Sequence, residues 1–299
     1  LGTAATMIVL SLLHPAVSQG PANLDVVPAA VGLDWFYLFA YPMLDVIPGG
    51  QLWLLVFGGL LFVALLPWMP SKKPAPVAVV SLDNCNGCAR CFEDCPYSAI
   101  RMAARTDGKG YETQAEVNPD NCLSCGLCVG SCPTATPFRR AGEIVPGIDL
   151  PAAPVVELRD KTLAASKSFV KGRRILVYAC EHSQSDELEN DGVRVVTLPC
   201  VAALPPSFID FALSRNLADG VAVSGCADGD CYYRLGGDWM QQRIDGQRDP
   251  YLRKRVDRER LRFWRHRRCG AARDQSLAAF AASLEALPKN RTGRRHGDA

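Results

Sequence analysis

Residues 85–96 read Cys85-Asn-Gly-Cys88-Ala-Arg-Cys91-Phe-Glu-Asp-Cys95-Pro96, and residues 122–133 read Cys122-Leu-Ser-Cys125-Gly-Leu-Cys128-Val-Gly-Ser-Cys132-Pro133. Both are copies of one pattern, C-x2-C-x2-C-x3-C-P. In a run this tight three thiolates converge on one face of a cubane, while the fourth, fixed past a turn by proline, reaches the other cluster. The pattern therefore predicts two [4Fe–4S] clusters with crossed ligands: Cys85, Cys88, Cys91 and Cys132 on the first, and Cys122, Cys125, Cys128 and Cys95 on the second. Zinc sites offer paired ligands to one tetrahedral ion, a poorer match to three close cysteines and a distant fourth. Disulfides are a further alternative. The thirteen cysteines imply a reducing compartment, because thiolates must meet iron before they oxidise.

Outward from this centre the chain changes character. Residues 50–69 (GQLWLLVFGGLLFVALLPWM) carry no charged side chain, with Trp53 and Trp68 near the ends. Twenty apolar residues reach about 30 Å as a helix, the thickness of a bilayer core. Lys72 and Lys73 then mark the cytoplasmic side. Residues 1–13 resemble the tail of another span, and the chain's start within an apolar run, without an initiator Met, reads as the interior of a longer polypeptide. Trp35–Ile47 is aromatic-rich but too short to cross, so it is expected in the membrane interface.

The stretch Asp34-Trp35-Phe36-Tyr37-Leu38-Phe39-Ala40-Tyr41, with Leu44 and Ile47-Pro48, resembles the quinol-site loop of cytochrome b. That resemblance implies a quinone and proton role for Asp34, and a quinone pocket at Trp35, Phe36 and Tyr37. Leu33 and Phe36 depart from the family motif, and Asp34 alternatively serves as a helix cap. The histidines, His14, His182, His266 and His296, form no pair within a span. Any haem b would need parts outside this chain.

Residues 71–76 read as a proline-stiffened tether. Residues 77–140 resemble a bacterial two-cluster ferredoxin, with a strand at Val77–Ser81 and a strand pair, Ile100–Ala103 and Thr113–Val117, about Asp107-Gly108-Lys109-Gly110. Residues 141–169 read as a second linker, since four prolines fall between Pro137 and Pro154.

From residue 170 short apolar runs alternate with helical spacing: Ile175–Ala179, Val193–Leu198, a helix over Ser207–Leu217, then Val221–Ser224. This rhythm predicts a three-layer α/β domain with a parallel sheet over 170–270, followed by a helix and basic tail over 271–299. Cys180, Cys200 and Cys226 fall just past three strand ends, with Cys231 close behind. At the carboxyl edge of a parallel sheet they should converge, suiting a [2Fe–2S] cluster or zinc. The domain resembles the iron–sulfur delta subunit linking hydrogenase to heterodisulfide reductase. The resemblance rests on Pro199-Cys200, Pro206-Ser207-Phe208, Ala218–Val221 and Gly225-Cys226-Ala227-Asp228-Gly229-Asp230-Cys231-Tyr232. It implies a [2Fe–2S] cluster and a flavin-bearing partner, although Ser183 stands where that family has a further cysteine. Cys269 has no partner by spacing.

The formal charge of +2 names no partner. Residues 253–268 hold nine Lys or Arg, expected to face anionic headgroups, an acidic flavoprotein or solvent rather than nucleic acid. The fold class is thus multidomain: a transmembrane α segment over 1–70, a ferredoxin-like α+β two-cluster domain and a C-terminal α/β domain. The expected function is electron transfer between a cytoplasmic flavoprotein dehydrogenase and quinone, at the cytoplasmic face of the cell inner membrane. The chain would be one component of an oxidoreductase rather than a stand-alone catalyst, with a cytochrome b-like membrane part and the lipid bilayer as neighbours. The alternative is a membrane-anchored docking adaptor whose α/β domain carries no cluster.

Overall fold

The computed structural model describes residues 2–13, 25, 42–69, 76–138, 144–183, 188–266 and 270–290. The chain forms two compact units, Leu1–Lys72 and Lys73–Ala299. The first contains helix α1 (Gly2–Leu13) and helix α2 (Gly49–Leu65), which continues through a 3-10 turn to Trp68. Neither helix buries a residue. Gly49–Trp68 is the one described helix long and apolar enough to cross a membrane, with mean hydropathy 2.0 over its apolar window. Of the expected interfacial stretch, only its end is described, as a 3-10 turn over Pro42–Asp45. Asp34, Trp35, Phe36 and Tyr37 lie outside the described residues.

The second unit joins the ferredoxin-like and α/β parts in one hydrophobic core that runs from Ala78 to Leu261. Strand β1 (Val79–Val80) leads into the first cysteine loop, which ends in the short helix α3 (Arg90–Glu93). Strands β2 (Ile100–Ala104) and β3 (Thr113–Val117) form the expected antiparallel pair, with Ile100 opposite Val117. The second cysteine loop leads into α4 (Leu127–Ser131), and β4 (Ile148–Asp149) returns to pair with β1.

The stretch expected as a linker over 141–169 is structured where it is described. After β4, helix α5 (Val155–Lys167) begins at Pro154 and packs on the sheet, its Thr162 hydroxyl 3.0 Å from the Tyr178 hydroxyl. Proline at a helix start costs nothing, because its missing N–H is unpaired there anyway. Proline density here marks a helix start within the fold.

The sheet comprises β5 (Ile175–Cys180), β6 (Val193–Leu198), β7 (Gly220–Cys226) and β8 (Leu261–His266), all parallel, in the order β6-β5-β7-β8. Strands buried on both faces read as unbroken apolar runs, and every residue of β5 and β7 is buried. Leu176, Tyr178 and Cys180 face the core containing α5 and α6 (Ser207–Ser214). Ile175, Val177 and Ala179 face the opposite layer, α8 (Gly270–Glu285), through Phe280 and Leu284. These are the three layers expected, with β8 added. Helix α7 (Gly236–Asp245) lies on the ferredoxin side.

Several arginines of the basic segment 253–268 pair within the chain. Arg255 and Arg253 pair with buried Asp210 at 2.6 and 3.3 Å, and Arg265 pairs with Asp228 and Asp238 at 2.6 and 2.7 Å. Arg260 donates to the Asp219 and Pro288 carbonyls at 3.0 and 2.7 Å. The acidic partner expected outside is in part supplied by the chain itself.

Candidate iron–sulfur sites

The two cysteine loops repeat one backbone trick. Gly87 and Ser124, two residues after the first cysteine of each motif, have φ of 65° and 54°; Ala89 and Gly126, one after the second, have 60° and 77°. Left-handed residues at these points curl the chain so that successive amides and sulfurs face one centre. Gly87 has no alternative, since a Cβ there would stand 2.4 Å from the Thr113 carbonyl oxygen.

The loops enclose two cavities. One, of about 310 Å³, is lined by Cys85, Cys88, Cys91 and Cys132, with Met102, Ala115 and Ile148 behind. The other, of about 350 Å³, is lined by Cys95, Cys122, Cys125 and Cys128, with Tyr97, Ile100 and Leu150. The fourth cysteine of each motif lines the other motif's cavity. Polar contacts reach the sulfurs, among them the Ala99 amide, which donates to Cys95 Sγ at 3.2 Å, and the Thr134 hydroxyl, 3.1 Å from Cys132 Sγ.

Burial, reinforced by the neighbouring thiols, pushes the Cys91 pKa up to about 12. Burial likewise raises Cys125 to about 11 and lifts Cys128 well above its ordinary value. Thiolates in such surroundings require a compensating cation. Among the described residues, no group of His, Cys, Asp or Glu is arranged to hold a single metal ion. The crossed thiol sets fit two cubanes.

At the carboxyl edge of the sheet the four remaining described cysteines meet. Cys180 ends β5 and Cys226 ends the adjacent β7, and their sulfurs lie 3.7 Å apart. The Cys231 sulfur is hydrogen-bonded with those of both Cys226 and Cys200, so the four thiols form one continuous group. These thiol hydrogen bonds depress the Cys231 pKa far below its ordinary value and raise those of Cys200 and Cys226. One negative charge is readily accommodated there; four need metal. Gly236 opens α7 so close to the group that a Cβ would stand 2.2 Å from Cys200 Sγ. The Gly237 amide donates to Cys231, giving the sulfurs the amide-rich start of a helix. Ser183, where the resembled family has a cysteine, instead donates its hydroxyl to the Cys180 carbonyl at 2.6 Å. The four thiols are a donor set that a binuclear iron cluster takes; zinc, the other reading, is a single ion, for which no group among the described residues is arranged. Cys269 lies outside the described residues.

Sequence reasoning passed over the rim of this site. His182 stacks on Tyr232 with ring centroids 3.9 Å apart, over an opening of about 520 Å³ lined by Cys226, Gly229, Asp230 and Cys231. Their only signal was adjacency to cysteines. It also passed over the seam beneath, where Cys125 and Cys200 share one buried cluster with Leu127, Ala202, Tyr233 and Trp239. The second cavity is therefore the one beside the four-thiol site. On the first, Cys88 is exposed.

Residues 84–136 match the family model of the 4Fe-4S dicluster domain, and residues 175–288 match that of methyl-viologen-reducing hydrogenase, delta subunit. Neither match reaches the apolar unit. An iron-sulfur subunit of the F420-non-reducing hydrogenase of Archaeoglobus profundus is 52% identical over 44 residues, 15% of this chain and 31% of the relative. An iron-sulfur subunit of the F420-non-reducing hydrogenase vhc of Methanococcus voltae is 33% identical over 69 residues, 23% of this chain and 47% of the relative. The chain thus spans less than half the length of either relative. It carries a 4Fe-4S dicluster domain, which supports [4Fe–4S] clusters, joined to a domain related to this hydrogenase delta subunit.

Proposed function

We propose that this chain is the electron-relay subunit of a membrane-bound oxidoreductase, carrying electrons between a partner dehydrogenase and the membrane quinone pool. The observation behind this reading is the continuous buried seam from the four-thiol site to the second cubane cavity, with the first cavity reaching solvent at Cys88. The four-thiol group would hold a [2Fe–2S] cluster on Cys180, Cys200, Cys226 and Cys231 and exchange electrons with a partner, a flavoprotein by the resemblance. Cys95, Cys122, Cys125 and Cys128 would hold the inner cubane, and Cys85, Cys88, Cys91 and Cys132 the outer one. Iron–sulfur clusters supply one-electron chemistry; the chain's own task is to fix their spacing, exclude water and set their potentials. The Ala99 amide on Cys95 and the Gly237 amide on Cys231 stabilise negative sulfur and so favour the reduced state. The apolar helix Gly49–Trp68 would anchor the chain in the cell inner membrane, with the iron–sulfur unit in the cytoplasm. Quinone would bind in a cytochrome b-like part that includes Asp34, Trp35, Phe36 and Tyr37, with any haem b held by parts outside this chain.

The test is low-temperature EPR with iron and sulfide counts on the anaerobically purified chain and its Cys226→Ser variant. The relay reading expects two cubane signals in both proteins and a binuclear signal in the parent alone. A folded parent without the binuclear signal would leave the α/β domain as a docking module.

A further inference from the structure

Helix α7 carries a guanidinium that the relay does not account for. The Arg243 side chain is fully buried. It donates to Asp94 Oδ2 at 2.5 Å, to the Ala202 carbonyl at 2.7 Å and to the Leu127 carbonyl at 3.4 Å. Each acceptor belongs to a cysteine segment. Asp94 precedes Cys95, Leu127 lies between Cys125 and Cys128, and Ala202 is two residues past Cys200. Gly130 of α4 leaves the passage for this side chain, since a Cβ there would stand 2.7 Å from the guanidinium.

The local charge does not cancel. The buried Asp94 carboxylate accepts a second guanidinium, Arg248 Nε, at 2.9 Å. Two cations against one carboxylate leave a net positive charge beside the second cavity. At the first cavity the corresponding cation is Arg105, which donates to the Cys85 carbonyl at 2.7 Å but pairs one-to-one with Asp107 at 2.5 Å. A charge fixed in a low-dielectric interior acts far more strongly than one in water. Burying it is costly, and Arg243 Nε finds no hydrogen-bond acceptor among the described residues. An apolar residue of similar volume would pack this seam without that cost.

We propose that Arg243 is a positioning residue for the inner cubane: it ties the Cys95 and Cys122–Cys128 segments to the segment after Cys200, and its charge raises the reduction potential of that cubane above the outer one. The proposal rests on the two-cubane reading. In it, an added electron is drawn first to the cubane next to the four-thiol site, because one more negative charge there meets an uncompensated positive one.

The experiment is an EPR-monitored redox titration of the full chain, anaerobically purified, with iron and sulfide counted. Cys95→Ser and Cys132→Ser assign each signal to its cubane. Arg243→Gln should lower the midpoint of the inner cubane and leave the outer one unmoved. Arg243→Lys, which keeps the charge, should recover most of the shift. Arg248→Gln, at a site only partly buried, should lower the same midpoint by a smaller amount without threatening the fold. Unchanged midpoints, or equal shifts at both cubanes, in Arg248→Gln and in iron-replete Arg243→Gln would overturn the assignment. A parent chain without the iron and sulfide of two cubanes would instead remove the reading beneath it.

Discussion

Gly130 and Ala202 approach so closely that a Cβ on the glycine would stand 1.8 Å from the Ala202 carbonyl oxygen. This contact joins the second cysteine helix to the segment after Cys200, and backbone cannot yield as a flexible side chain can. Gly130→Ala should therefore destabilise the Lys73–Ala299 unit by at least about 1–3 kcal/mol, the usual cost of overpacking. Thermal unfolding against Gly110→Ala, where a Cβ meets nothing within 4 Å, checks it. Equal melting temperatures would contradict the close seam.

Crossed ligation makes a second expectation specific. Cys132 belongs to the second motif but lines the first cavity. Cys132→Ser should alter or remove the cubane of Cys85, Cys88 and Cys91 and spare the other, and Cys95→Ser should do the reverse. Iron counts with EPR of both variants decide this. Damage confined to the mutated motif's own cubane would refute the crossing.

Gly236→Ala ought to act against helix propensity. Alanine favours a helix over glycine by about 1 kcal/mol, yet here its methyl would stand 2.2 Å from Cys200 Sγ. The variant should lose metal from the four-thiol site while keeping the cubanes, as read by metal analysis and EPR.

Acid sensitivity should centre on Asp219, which is buried and accepts bonds from Arg174 and the Asn290 amide. Burial alone raises its pKa, but the Arg174 side chain, its amide and its charge outweigh that and leave the carboxyl below its ordinary 3.8. A depressed carboxyl contributes stability that is complete above about pH 4 and lost as pH falls through the folded value. Asp219→Asn should lower stability at pH 7 by about 1–3 kcal/mol and flatten the decline below about pH 4. Denaturant unfolding at several pH values measures both.

Membrane anchoring through Gly49–Trp68 is testable by one charge. Leu60→Lys places an ammonium mid-helix, where insertion costs about 2.5–3.5 kcal/mol. Flotation with lipid vesicles should show the variant shifted toward the soluble fraction. Unchanged partitioning would argue against α2 as the anchor.

The cysteine spacing pointed to the two cysteine loops, because thiol chemistry fixes its own geometry locally. The strands β5, β6 and β7 were legible as apolar runs ending at cysteines. Strand β8 was not: Arg262 and Arg265 interrupt its apolar residues, and its partner β7 lies 35 or more residues earlier in the chain. Helix α5 was hidden by prolines that read as a tether but start a helix. Asn290, in the stretch expected as a basic tail, is buried and donates to the Leu213 and Ala218 carbonyls at 2.7 and 3.0 Å. Residues 291–299 of that tail lie outside the described residues. The Asp94–Arg243 pair spans 149 positions, a distance over which no local pattern carries information.

The core that runs unbroken from Ala78 to Leu261 also governs motion. Many carriers swing a tethered domain between donor and acceptor, and their turnover waits on that diffusion. Here the two cysteine-bearing parts share packed side chains, and movement of one past the other would open a seam of buried glycine contacts. The separation between the two cysteine-bearing parts is thus set by packing, with no tether among the described residues to swing on.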